Sequence, residues 1–441
     1  MKNKYLYIET FGCQMNVHDS EQMAVILKDI GYKLTDDSLK ADLILINTCS
    51  IREKAEQKAF SELGRFLKLK DENPNLMIGF AGCLAQHLGR KVHGRMKGVD
   101  LVFGTHNIHR LPEMIAAVQQ DKKKVTQVDF SSKIHSLNIF APPPEGSLCA
   151  FVSIMQGCDN YCAYCVVPYL RGPEMSRAPE DILDEIKKLT EYGVKEVTLL
   201  GQNVNSYGKK LNPGCNFVSI IKKINKIDGI ERIRFTTSHP KDLSDELIDC
   251  FGGVPKLCEH IHLPVQSGSN RILKLMNRGY SAEAYLQKVD RLRTVRPQIS
   301  ITSDIIVGFP GETQKDYQET IDMMEKIRFD SVFSFKYSER KGTAAQKLPD
   351  QVPEIEKKKR LQELQALQDR HTQERNSALE RSIQEVLVEG RSKNSEQDMM
   401  GRSRSWRIVN FKGSPELIGK KVNVEITRGY LHSLRGKVIE N

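Results

Sequence analysis

Apolar residues fall in short continuous runs over the first third of the chain, at 5–11, 41–47, 76–81 and 99–103, with helical spacing over 19–30 and 51–70. Short apolar runs read as strands covered on both faces, and strand alternating with helix predicts a mostly parallel sheet. The pattern therefore predicts a Rossmann-like α/β domain over residues 1–140. A Pro-rich stretch at 141–147 marks a domain boundary. Strand patterns recur at 150–154, 196–200, 232–236, 260–265, 300–307 and 331–337, separated by helical ones such as 178–192, 281–295 and 313–327. Six βα units predict a partial (βα)6 barrel, and with it a second domain over 148–375. Residues 353–381 are rich in Lys, Glu, Gln and Leu without Gly, which predicts a solvated helix with its charges on a wet face. Short strand patterns at 383–388, 406–411, 421–426 and 436–439 predict a small β-barrel over 378–441.

Composition narrows what such a chain can do. Its 441 residues are 39% hydrophobic and 28% charged, as expected of a globular protein. Neither a bilayer-spanning apolar run nor a secretory signal is visible, so no membrane partner is expected and the expected location is the cytoplasm. The net charge of +10 is unevenly spread: residues 391–441 hold 11 Lys and Arg against 5 Asp and Glu. There Trp406, Phe411 and Tyr430 interleave with basic residues, a composition suited to RNA. Phe411 is expected in the barrel core, and Arg402, Arg404 and Arg407 are the candidate RNA contacts.

Ten cysteines without an export signal point to metal or catalysis rather than disulfides. Cys149, Cys215, Cys250 and Cys258 read as ordinary thiols. Cys13, Cys49 and Cys83 each directly follow a predicted strand. In a parallel sheet the carboxyl ends of strands share one edge, where ligands bind, so the three are expected to converge.

Cys158, Cys162 and Cys165 carry the most specific signal, C-x3-C-x2-C with Tyr164 before the last cysteine. Thiolates hold iron–sulfur clusters, and three on a four-iron cube leave one iron open. That iron can chelate the amino and carboxylate groups of a methionine moiety, which makes S-adenosylmethionine and radical chemistry the expected pairing. A structural zinc would require a fourth Cys or His, and none follows closely.

The motif resembles that of the radical S-adenosylmethionine superfamily, as do the partial barrel and Gly308-Phe309-Pro310-Gly311-Glu312 after its fifth strand. The resemblance implies cofactor contacts from strand-end loops, with Gln202, Asn203, Ser238, Gln266 and Asp304 as candidates and Tyr164 facing the adenine. The whole chain resembles the methylthiotransferase family within it, in domain order and at all six cluster cysteines. Gly12-Cys13-Gln14-Met15-Asn16, Asn47-Thr48-Cys49-Ser50-Ile51-Arg52 and Gly82-Cys83-Leu84-Ala85-Gln86 look like the branch acting on isopentenyl-modified adenosine in tRNA, and the segments 166–172, 236–240 and 263–268 are similar to it too. Membership implies methylthiolation at C2 of the adenosine 3′ of the anticodon. It implies two [4Fe-4S] clusters, the second on Cys13, Cys49 and Cys83 carrying sulfur. It also implies a C-terminal barrel of the TRAM type, the tRNA anticodon stem-loop as partner, a reductant such as flavodoxin or ferredoxin, and a monomeric enzyme. Sister enzymes acting on threonylcarbamoyladenosine or on a ribosomal-protein aspartate share both cysteine motifs. An RNA-binding iron–sulfur sensor without catalysis is the reading of another class.

Overall fold

The structure, a computed structural model, describes residues 4–49, 53–131, 138–393 and 395–439. Ser50, Ile51 and Arg52 of the second cysteine motif lie outside the described residues.

The N-terminal sheet has six parallel strands: β1 (Lys4–Thr10), β2 (Tyr32–Leu34), β3 (Leu43–Thr48), β4 (Met77–Gly82), β5 (Leu101–Phe103) and β6 (Val125–Gln127). Their order is β2-β1-β3-β4-β5-β6. β3 and β4 are buried along their whole length, which is why they read as unbroken apolar runs. β2 and β6 have three residues each, too few to show a period. The order β2-β1-β3-β4-β5 is the flavodoxin-like form of the doubly wound fold, so the Rossmann-like expectation holds for the class but not for the strand order. In this order the winding reverses between β1 and β3. Helices α1 (Gln14–Asp29), α2 (Glu53–Glu72) and α3 (Cys83–Leu88) follow β1, β3 and β4.

Residues 141–147 form neither helix nor strand. Beyond them, β7 (Cys149–Ser153) begins the second domain, and β8 (Met155–Gln156) and β9 (Met175–Ser176) pair antiparallel around the C-x3-C-x2-C loop. β10 (Glu196–Leu200), β11 (Arg232–Phe235), β12 (His260–His262), β13 (Ser300–Val307) and β14 (Ser331–Lys336) complete a parallel partial barrel. It consists of two three-stranded sheets, β11-β10-β7 and β12-β13-β14, joined by a bridge between Ile233 and Leu257. The barrel is open between its first and last strands, β7 and β14. Residues in register share a face, so Val152, Leu199 and Phe235 meet the helices, while Phe151, Thr198 and Arg234 turn the other way. The same parity puts His262, Thr302 and Asp304 on the inner face of the second sheet.

The helix Glu354–Ser377 is not the solvated element its composition predicts. It packs on β14 and buries Leu364, Leu367 and His371. Its Arg360 pairs at 2.7 Å with Glu312, and both side chains are buried. An edge strand presents unpaired backbone, and a covering helix removes that exposure.

The last domain is a closed barrel of β15 (Ile383–Ser392), β16 (Ser395–Ser403), β17 (Ile408–Lys412), β18 (Lys421–Gly429) and β19 (Leu434–Val438), in the order β15-β16-β17-β19-β18. Phe411 is fully buried in its core with Val386, Met399 and Ile426. β16 escapes a hydrophobicity reading because its sequence, SEQDMMGRS, is mostly polar. Trp406 was expected in a strand but lies in the turn before β17, with φ +70°.

Candidate active site at two cysteine triads

β1, β3 and β4 are neighbours in the sheet, so the loops bearing Cys13, Cys49 and Cys83 emerge side by side. Cys49 and Cys83 directly follow the paired residues Thr48 and Gly82. Cys13 and Cys49 flank the point where the winding reverses, the place where ligands bind in this class. Gly82 adopts φ +89°, and a Cβ there would stand 2.4 Å from the Thr48 carbonyl oxygen, so only glycine lets β4 turn into Cys83.

A buried amide network holds the first two loops in place. Asn16 Nδ2 donates to Asn47 Oδ1 at 3.2 Å and to the Thr48 carbonyl at 3.0 Å. Asn47 Nδ2 donates to the Asn16 carbonyl at 2.8 Å and to Ser20 Oγ at 2.9 Å. The Cys13 thiol donates to Asn16 Oδ1 at 3.5 Å. Asn16 and Asn47 thus order the first and second loops together.

The second triad sits in the loop framed by β8 and β9. Gly157, at φ +83°, precedes Cys158; a Cβ there would lie 2.0 Å from the Pro173 carbonyl oxygen. The backbone N–H of Cys158 donates to the Gly172 carbonyl at 3.2 Å, and that of Cys165 to the Cys162 carbonyl at 2.9 Å. Burial, with the neighbouring thiols, pushes the Cys158 thiol up to about 11 and the Cys165 thiol up to about 12. Such thiols need a positive partner to ionise. Arg278 supplies charge: its Nη1 donates to Cys162 Sγ and to the Tyr164 hydroxyl, each at 3.3 Å, and its Nη2 to the Pro264 carbonyl at 2.7 Å. His239 Nε2 stands 3.8 Å from Cys162 Sγ. Burial and the Arg278 charge push this histidine down to about 2, so it is neutral.

The strand-end candidates surround this loop. Gln202 Oε1 accepts from the Gly157 N–H at 2.6 Å and so braces the cysteine loop. Asn203 Nδ2 donates to Asp242 at 2.7 Å, but its Oδ1 is buried with no partner among the described residues. Ser238 Oγ, Gln156 Nε2 and Glu174 Oε1 are buried and unpartnered in the same way. Buried polar atoms in native interiors normally find partners, so a set of unmet ones is the mark of a ligand site. A donor and acceptors at the strand ends fit the amino and carboxylate groups of a methionine moiety. Gln266 holds φ +73° four residues beyond β12, and Thr237 φ +63° after β11, strained conformations of the kind that gather at functional sites. Asp304 lies deeper, within β13, where His262 Nε2 approaches it at 3.4 Å. The structure thus gathers Tyr164, Gln202, Asn203, Ser238 and Gln266 around the barrel mouth and sets Asp304 below them.

The first triad touches the segment that follows the second. The Cys83 side chain packs against Val166 and Leu170, just after Cys165.

Comparison with known proteins agrees with this layout. Residues 5–104 match an uncharacterised protein family, UPF0004, residues 152–324 the radical SAM superfamily, and residues 378–439 the TRAM domain. A protein of Syntrophus aciditrophicus named tRNA-2-methylthio-N(6)-dimethylallyladenosine synthase is 56% identical over 439 residues, covering 100% of this chain and 95% of its own. One of the same name from Geobacter sulfurreducens is 51% identical, over 99% of this chain and 98% of its own.

The chain belongs to this family of tRNA methylthiotransferases.

Among solved structures, the radical S-adenosylmethionine methyltransferase TsrM from Kitasatospora setae aligns with a TM-score of 0.57 at 13% identity, over 75% of this chain and 72% of that one, a likeness of fold. An iron–sulfur cluster and S-adenosylmethionine come with the radical SAM superfamily.

For this methylthiotransferase the three arginines expected to meet RNA are placed differently. Arg404 Nε pairs with Glu259 at 2.8 Å, and its Nη2 donates to the Pro255 and Leu257 carbonyls. Arg407 pairs with Asp330 and donates to Asn376 Oδ1 at 2.9 Å. Arg402 pairs with Glu389 at 2.7 Å, and its carbonyl accepts from Arg232. Trp406 stacks near His260 at 5.9 Å, with the Arg234 and Arg402 guanidinium groups near its ring. The Arg404 and Arg407 side chains thus join the small barrel to Glu259 and Asp330 of the radical core, partners that sequence distance conceals, while the Arg402 side chain pairs within the small barrel.

Arg278, His239, Arg171 and Glu174 were not among the sequence candidates. A buried arginine has no local signature, since only the fold shows which cations lose their water. Among the described residues, no helix is long and apolar enough to cross a membrane.

Proposed function

We propose that the protein methylthiolates C2 of N(6)-isopentenyladenosine at position 37 of tRNA, next to the anticodon, giving 2-methylthio-N(6)-isopentenyladenosine. In this reading Cys158, Cys162 and Cys165 hold one [4Fe-4S] cluster, and Cys13, Cys49 and Cys83 hold a second that carries the sulfur. Bound at an iron left without a protein ligand, S-adenosylmethionine supplies the radical chemistry that an unactivated aromatic C–H bond requires. Gln202 braces the cysteine loop, Asn203 and Ser238 offer polar atoms to the cofactor, and Arg278 stabilises the Cys162 thiolate. The anticodon stem-loop is the RNA partner. A one-electron donor such as flavodoxin or ferredoxin supplies the electron, and the enzyme works as a monomer in the cytoplasm.

The observation that supports this reading is the contact of Cys83 with Val166 and Leu170, by which one cysteine triad packs against the segment that follows the other. A non-catalytic sensor has no use for unmet polar atoms at a barrel mouth. The test is mass spectrometry of tRNA nucleosides from a deletion strain, with and without the gene restored. Loss of the methylthio group from isopentenyladenosine is expected. An unchanged methylthio-isopentenyladenosine pool would overturn the proposal, and loss from threonylcarbamoyladenosine or from a ribosomal-protein aspartate would transfer it to a sister activity. Replacing Cys158, Cys162 and Cys165 by Ala should halve the iron and abolish 5′-deoxyadenosine formation.

A further inference from the structure

Arg171 lies where the first triad touches the segment that follows the second. It ends the helix Val167–Leu170, which follows Cys165 by one residue, and it is 3% exposed. Its Nη2 donates at 2.7 Å to Asp19 Oδ2, and the Asp19 side chain is 2% exposed. Asp19 lies on α1, the helix whose N-cap is Cys13. The ion pair thus joins the radical core to the cysteine-bearing helix of the N-terminal domain. The backbone reinforces the junction. His106 Nε2 lies 3.0 Å from the Arg171 carbonyl oxygen, and the next carbonyl, of Gly172, accepts from the Cys158 N–H. One dipeptide therefore contacts both the Cys158 loop and the N-terminal domain.

A single carboxylate does not use up a guanidinium with five N–H groups. Arg171 Nη1 is buried and has no hydrogen-bond partner among the described residues. The groups around it are Asp19, Cys83 and Cys13, and the Cys83 side chain packs against Leu170, the residue before Arg171.

We propose that Arg171 is a positioning residue of the Cys13–Cys49–Cys83 site: its guanidinium, oriented by Asp19, directs an N–H and a positive charge at the cysteine sulfurs and sets the reduction potential of the cluster they hold. The inference rests on the two-cluster reading above. Partners of this kind around metal ligands commonly orient them and tune the metal, and hydrogen bonds to the sulfurs and local charge set cluster potentials. Here the partner is contributed by the other domain, so the potential of the sulfur-carrying site depends on domain docking. Reduction adds negative charge, so a nearby cation favours the reduced cluster and a nearby anion opposes it.

The test uses the full-length chain with Cys158, Cys162 and Cys165 replaced by Ala, reconstituted so that only the second site holds iron. Potentials are read by redox titration with electron paramagnetic resonance. In this background Asp19→Asn leaves the guanidinium without its counter-ion, and the potential should rise. The double variant Asp19→Asn/Arg171→Gln replaces the ion pair by a neutral pair and protects the fold. Its potential should fall below that of the parent, because the buried N–H donor and cation beside the cysteines have been removed. Between the two variants the reduction equilibrium should differ by at least about tenfold, or about 59 mV for one electron. Shifts of the same sign in both variants, or none in either, would overturn the role of Arg171. A parent that binds no iron would overturn the two-cluster reading, and the inference with it.

Discussion

Asn47→Ala tests whether the amide network holds the first triad together. Asn47 is fully buried. Its side chain takes part in three hydrogen bonds, with Asn16 Nδ2, the Asn16 carbonyl and Ser20 Oγ. Alanine removes all three. Their former partners are not all stranded, since Asn16 Nδ2 keeps the Thr48 carbonyl and Ser20 Oγ keeps Thr10 Oγ1 at 2.8 Å. The loss is then near the net value of a hydrogen bond, about 1 kcal/mol each, or about 3 kcal/mol in total. A domain stable by roughly 5–15 kcal/mol survives that loss. What goes is the crosslink that sets Cys13 against Cys49. The expected phenotype is a folded protein whose iron and sulfide fall by about half, with the remaining electron paramagnetic resonance signal from the Cys158–Cys162–Cys165 site and 5′-deoxyadenosine formation retained. Methylthiolated product should be lost. Full iron with normal product formation would refute the reasoning, as would equal loss of both clusters, which would mean that the network supports the whole molecule rather than one triad.

Arg278→Met should keep iron content but lower the potential of the radical cluster and slow 5′-deoxyadenosine formation, because the Cys162 thiolate loses its N–H donor; an unchanged potential in redox titration counts against this. Arg360→Met strands the buried Glu312 carboxylate, and denaturant unfolding should show a loss of about 3–5 kcal/mol, whereas less than 1 kcal/mol would mean that the pair is hydrated. Burial pushes the Asp316 carboxyl up, but hydrogen bonds from Arg271, Ser269 and Thr313 outweigh it and hold the group well below the usual carboxylate range. A depressed folded-state value means that the stabilisation is full above the unfolded value of about 4 and is lost as pH falls below it, so acid melting curves should flatten in Asp316→Asn. Arg404→Ala should speed proteolysis between the radical core and the small barrel, while a drop in tRNA affinity with unchanged proteolysis would restore its direct role on RNA.

Much of the site was legible before folding, and the reason is chemical. Cys158, Cys162 and Cys165 lie within one loop, so their spacing alone marks a candidate three-thiolate site. Cys13, Cys49 and Cys83 are far apart in sequence, yet each follows a strand, and parallel strands end on one edge. The apolar runs at β3, β4, β10 and β13 were equally clear, because strands covered on both faces have no polar positions. Short β2 and β6 and polar β16 lacked that signal, since three residues carry no period and a small barrel half-exposes its strands.

The sequence by itself determined the chain's three-domain architecture and singled out six cysteines as candidate ligands, because periodicity and local spacing are properties of neighbouring residues. Only the tertiary structure decided which cations lie beside them. Arg278 and Arg171 look like any other arginine in the sequence. Packing removes their water, and each guanidinium must then find an anion or a sulfur within reach. The same physics assigned Arg404 and Arg407 to the domain seam, where Glu259 and Asp330 compensate their burial. A charge run shows how many cations a segment carries, but its partners depend on which distant carboxylates and thiols the fold brings beside it.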